Sequence, residues 1–93
     1  MFKTNEYFDG KVKSIAFTTK TLPATVGVMA PGDYTFDTTS KEYMTVISGE
    51  LIVQLPEMKE WLTFGEGAMF VVEANQTFKL KVEAEAAYLC KYE

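Results

Sequence analysis

Glu42–Pro56 reads EYMTVISGELIVQLP. Two runs, YMTVIS and ELIVQL, flank Gly49, and each is too short and wrongly spaced for an amphipathic helix. Successive strand side chains point to opposite faces, so Glu42, Met44, Val46 and Ser48 share one face. Leu51, Val53 and Leu55 share a face of the next strand. Val and Ile occur in both runs and suit a pleated, half-buried surface. Glu42 thus places an ionisable group on the same face as Met44 and Val46.

The same alternation recurs on either side. TVGVMA (Thr25 to Ala30) predicts an apolar strand that ends in a turn at Pro31-Gly32-Asp33. YTFDT puts Tyr34, Phe36 and Thr38 on one face. PEMKE is a polar hairpin loop, Gly65-Glu66-Gly67 separates WLTF from AMFVV, and TFKLKV turns Phe78, Leu80 and Val82 inward. With KVKSIAF and the closing AAYLCKY, the pattern predicts eight or nine short strands with turn signals every 8–12 residues. That spacing is the signature of a β-sandwich or small barrel in one all-β domain, residues 1–93.

Composition narrows the partners. A chain of 93 residues buries only about 60–65% of its unfolded surface, so association with a second copy would help it. The 47% apolar content is enough for a packed core and argues against disorder. Nine lysines against thirteen acids give a net charge of −4, which disfavours nucleic acid and anionic membrane as partners. There is no arginine, so an anionic ligand must be held by lysine, hydroxyls or backbone N–H groups. A single cysteine, Cys90, allows no internal disulfide and reads as a small core residue; a reducing cytoplasm is the expected setting. No apolar run approaches membrane-spanning length, and MFKTNEYFDG carries no signal-peptide core. Histidine is absent altogether.

Gly32, Glu42 and Gly49 resemble the frame of the first cupin motif, in which six residues separate Glu from Gly, as they do here. The motif's two histidines fall near Phe36 and Thr38. GAMFVVEANQTF, from Gly67, matches the second motif in length, with Glu73 for its proline, Asn75 for its glycine and Phe78 for its histidine. Phe has no donor, and one Thr hydroxyl is a poor transition-metal ligand, so the metal chemistry of such a site is deleted. NEYF, GKVKSI, VGVM, YTF, MTVISG and YLCKY narrow the resemblance to the small cupins of the pyrimidine/purine nucleoside phosphorylase family, over essentially the whole chain. Glu73 and Glu93 depart from the family pattern.

The resemblance implies a cupin-like double-stranded β-helix and a homodimer. It implies phosphorolysis of purine and pyrimidine nucleosides to free base and α-D-ribose 1-phosphate, with broad specificity, no metal and no cofactor beyond phosphate as co-substrate. A non-enzymatic small-molecule-binding cupin is the alternative. Glu42, at the metal-ligand position, is the catalytic candidate: its carboxylate would accept hydrogen bonds from ribose hydroxyls and favour positive charge on the sugar. A rim salt bridge to a lysine, or a solvated strand end, is its bland reading. Phe36 and Phe78, at former ligand positions, would stack on the base, or else simply fill the core. Thr38 and Ser48 offer hydroxyls to phosphate or ribose, or bond to neighbouring backbone. Lys13, in GKVKSI, is the lysine favoured for phosphate over Lys79 and Lys81, and Tyr7 either donates a hydroxyl or packs an interface.

Overall fold

A computed structural model describes all 93 residues, Met1–Glu93. It contains ten strands and no helix: β1 (Thr4–Tyr7), β2 (Val12–Thr18), β3 (Pro23–Met29), β4 (Gly32–Asp37), β5 (Glu42–Ser48), β6 (Leu51–Gln54), β7 (Leu62–Phe64), β8 (Met69–Val72), β9 (Thr77–Val82) and β10 (Ala86–Tyr92). Six form one antiparallel sheet in the order β1-β2-β3-β10-β5-β8, and four form a second in the order β4-β9-β6-β7. From β3 onward the chain passes repeatedly between the two sheets, the winding of a double-stranded β-helix. The strands on either side of Gly49 therefore lie in different sheets, and Gly49 turns the corner with φ +82°.

Alternation decides which side chains fill the space between the sheets. In β9 the burial alternates strictly, with Phe78, Leu80 and Val82 inside and Thr77, Lys79 and Lys81 outside. Met44 and Val46 from β5, Leu51 and Val53 from β6, and Tyr88 and Cys90 from β10 complete much of one continuous core. Lys81 lies over the Trp61 ring, 4.3 Å from its centroid, as part of the wet face of the smaller sheet.

The turn expected at Pro31-Gly32-Asp33 is shorter than the sequence implies. Gly32 and Asp33 already pair with Val82 and Lys81 as the start of β4, leaving Ala30 and Pro31 to make the corner. The Tyr34 hydroxyl, donating to the Ala30 carbonyl, braces that corner from inside.

Thr38 pins the opposite end of β4. Its hydroxyl donates to the Glu73 carbonyl at 2.7 Å and accepts from the Gln76 amide at 3.0 Å, while its own carbonyl accepts from Asn75 N–H. Asn75, at the motif's glycine position, takes a left-handed φ of 61°, which asparagine tolerates better than most residues. Thr38→Val keeps the shape but strands the part-buried Glu73 carbonyl and Gln76 amide. We expect a loss of about 1–3 kcal/mol in denaturant unfolding, the usual penalty for unmade buried hydrogen bonds, with turnover per folded molecule retained.

Candidate active site

Between the sheets lies one semi-enclosed cavity of about 260 Å³. Glu42 enters from the start of β5, and Tyr92, its partner in β10, lies beside it. Phe36 and Phe78 are direct partners across β4 and β9; their rings stack at 5.7 Å with 26° between planes. The two former ligand positions thus face one another and form an aromatic wall. Met29 and Met44 add apolar surface, while Tyr7, Asp37 and Thr39 line the cavity nearer its opening. Tyr7 sits in the β1–β2 hairpin, whose turn residues Phe8 and Asp9 both adopt left-handed φ, at 55° and 57°. For a phenylalanine that backbone is strained. The Phe8 ring holds it in place by packing on Tyr34 and edge-on against Phe36.

Glu42 is half-buried, and its surroundings explain its proton affinity. Burial raises its pKa above the ordinary carboxylate value, and a hydrogen bond from the Cys90 thiol to Oε1, at 3.5 Å, partly opposes that rise. No lysine forms an ion pair with it; Lys13 pairs with Glu6 and Lys41 with Glu73 and Glu93. The rim-salt-bridge reading of Glu42 therefore has no partner here. Cys90 is 1% exposed, and burial raises its thiol far above the normal range, so it is a neutral donor rather than a nucleophile. Tyr92 is likewise raised by burial and shares a 2.9 Å hydrogen bond with Thr25. No three His, Cys, Asp or Glu side chains come together as a metal-ligand group.

With that geometry in place, comparison with known proteins is decisive at the level of family. A family model described as pyrimidine/purine nucleoside phosphorylase matches residues 2–92. The chain belongs to that family. A protein of that name from Saccharophagus degradans is 70% identical over 92 residues, covering 99% of this chain and 98% of the relative. A crystal structure of a protein of unknown function from Vibrio parahaemolyticus superposes with a TM-score of 0.95 at 44% identity, covering 100% of this chain and 99% of the other. An RmlC-like cupin from Shewanella frigidimarina shares the fold alone, with a TM-score of 0.77 at 14% identity over 98% of this chain and 82% of its own. The fold is a small cupin barrel.

Of the residues singled out from the sequence, Glu42, Phe36, Phe78 and Tyr7 meet in this one cavity. Three do not reach it. Thr38 spends its hydroxyl on the turn described above, which accounts for its burial without a ligand. Ser48 is exposed at the end of β5, past an irregularity in the β5–β10 pairing that shifts the register between Ala87 and Tyr88. Lys13 lies on the outer face of β2, because Val12 and Ser14 take the inner one, and it ion-pairs with Glu6 at 3.6 Å. Sequence reading passed over Ser14, Tyr88, Cys90 and Tyr92. The alternation in YLCKY does place the last three on one face, but only the antiparallel pairing of β10 with β5 sets that face beside Glu42.

Proposed function

We propose that the chain cleaves the N-glycosidic bond of purine and pyrimidine nucleosides with inorganic phosphate, releasing free base and α-D-ribose 1-phosphate, without a metal ion. The observation that carries this reading is the meeting of the Glu42 carboxyl and the stacked Phe36–Phe78 pair in one cavity. Glycosyl transfer passes through an oxocarbenium-like sugar. A carboxylate that accepts the ribose hydroxyls also stabilises the positive charge that develops there, and does so more strongly in a half-buried site than in water. Phosphate is itself the nucleophile, so holding it in line with the sugar supplies much of the acceleration. The absence of histidine and the phenyl groups at the ligand positions support chemistry without a resident transition metal.

Broad specificity follows from size and surface. The cavity is slightly smaller than the ~300 Å³ at which enclosed small-molecule sites begin, so it takes in the ribose and leaves the base near the mouth. A base held there by aromatic faces is read by stacking, which every base can provide. Incubation with uridine or inosine in a chelator, with and without phosphate, tests the proposal. Base released only with phosphate is the expected result. Release without phosphate, or none from any common nucleoside, rejects it, the latter in favour of a binding cupin.

A homodimer is part of the same proposal. The outer face of the larger sheet exposes Ile15 on β2, Val26 and Val28 on β3 and, across Ala87 of the intervening β10, Ile47 on β5. A contiguous apolar patch of this kind on so small a domain is the usual mark of a partner surface. Val28→Glu, with Val28 already 56% exposed, adds a charge at no cost to the core. It is expected to convert dimer to monomer in sedimentation equilibrium; an unchanged mass would move the interface elsewhere. The single buried thiol is compatible with a cytoplasmic setting.

A further inference from the structure

The phosphorolysis reading leaves one requirement unmet: the cavity contains no lysine, and two of its lining residues, Glu42 and Asp37, are acids. We propose that the paired hydroxyls of Ser14 and Tyr88, backed by Asn5, form the oxyanion subsite that holds inorganic phosphate. The inference rests on that reading and adds where its co-substrate binds.

Strand register builds the subsite. Asn5 pairs with Ser14, Ser14 with Gly27, and Gly27 with Tyr88, so the four lie in one row across β1, β2, β3 and β10. Gly27 has no side chain, and the Tyr88 ring occupies the space above it: a Cβ there would lie 2.8 Å from Tyr88 Cζ and 2.7 Å from its hydroxyl. The phenol tip is thereby carried across β3 toward Ser14 on β2. Asn5 Nδ2 donates to Ser14 Oγ at 3.5 Å, and the Ser14 and Tyr88 hydroxyls bond to one another, so the pair keeps one hydroxyl proton to offer a ligand.

The contrast with the other buried hydroxyls is informative. Thr38 and Tyr34 each donate to a backbone carbonyl, and Thr25 and Tyr92 satisfy one another. Ser14 and Tyr88 are 3% and 6% exposed and bond to one another, but both line the cavity, as Thr25 does not, and neither has a carbonyl acceptor. Burial pushes the Tyr88 phenol up to about 12, so at neutral pH it is a neutral donor and sets no negative charge against an incoming anion. A hydrogen bond from a neutral hydroxyl to a phosphate oxygen is charge-assisted and strengthens in a poorly solvated wall.

The subsite also keeps anions apart. Glu42 pairs with Tyr92, four residues along β10 from Tyr88, and the Tyr88 phenol reaches from β10 across Gly27 of β3, on the side of β10 away from β5. A pentose lying between the two would meet carboxylate acceptors at one end and phosphate at the other. Lys13 cannot substitute, because it projects from the opposite face of β2.

The test is steady-state kinetics with each substrate varied in turn, on Ser14→Ala, Tyr88→Phe and Lys13→Met. Removing one hydrogen bond to a charged ligand is expected to raise the KM for phosphate about 10- to 100-fold in the first two variants, leaving the KM for nucleoside unchanged. Lys13→Met is expected to match wild type. Unchanged phosphate KM in both hydroxyl variants, or a loss confined to Lys13→Met, overturns the subsite while leaving the phosphorylase reading intact. If wild type turns over no nucleoside, calorimetric titration with inorganic phosphate alone decides: heat with wild type that is lost in Tyr88→Phe supports the subsite, and no heat with wild type overturns it.

Discussion

Glu42→Gln is expected to lower kcat/KM by about 10²–10³-fold, the usual effect of removing one electrostatic contact to a transition state, while leaving the fold unchanged. Glutamine is isosteric and still accepts a hydrogen bond at Oε1, so the Cys90 thiol keeps its partner. What disappears is the negative charge facing the sugar. If Glu42 only shaped the cavity, the variant would turn over nearly as wild type, and that outcome would remove the residue from the mechanism.

The same substitution carries a stability signature of opposite sign. The folded pKa of Glu42 is raised, mainly by burial. Between the ordinary carboxylate value and that raised value the native state binds more protons than the unfolded chain, so stability falls as pH rises through this window. Below it both states are protonated and the group contributes nothing. Above it the fold carries a partly desolvated charge. Glu42→Gln is therefore expected to melt higher than wild type at neutral pH and alike at low pH. The acid limb of kcat/KM should lie above the normal glutamate value in wild type and vanish in the variant. A site that lowers stability while serving turnover is the familiar trade-off between the two.

Much of this was legible in the chain because the period of two is so regular. The alternation in TFKLKV assigns Phe78, Leu80 and Val82 to the interior, and the six residues between Glu42 and Gly49 mark the strand that carries the acid. Of the family string NEYF, Asn5 to Tyr7 lie in the edge strand β1 against β2, and Phe8 begins the turn. What the chain does not reveal is which buried hydroxyl is already committed. Thr38 and Ser14 are both buried small alcohols, yet one is bound to the Glu73–Gln76 turn and the other faces the cavity. That difference arises from contacts between residues far apart in sequence. Lys13 illustrates the converse: the charge pattern nominated it for phosphate, but one step of strand alternation gives the inner face to Ser14.

Gly27→Ala is expected to be among the most damaging single-methyl additions to this chain, although replacing a strand glycine by alanine ordinarily helps. Glycine costs a strand about 0.5–1 kcal/mol relative to alanine through its freedom in the unfolded state. Here the added Cβ would stand 2.6 Å from the carbonyl oxygen of Lys13, on the neighbouring strand, and under 3 Å from the Tyr88 ring. The carbonyl is fixed by the β2–β3 ladder, in which Ser14 faces Gly27, so relief requires the two strands to part. Overpacking of a well-packed interior typically costs about 1–3 kcal/mol, and denaturant unfolding should show a net loss at the upper end of that range. Tyr88→Leu in the Gly27→Ala background separates the two clashes. If the ring dominates, the double variant recovers part of the stability as a favourable coupling; if the Lys13 carbonyl dominates, the two losses simply add. Either way the phenol leaves its place beside Ser14, so phosphate-dependent turnover is expected to fall with stability. A Gly27→Ala protein as stable and as active as wild type would mean that the Tyr88 ring does not rest on β3.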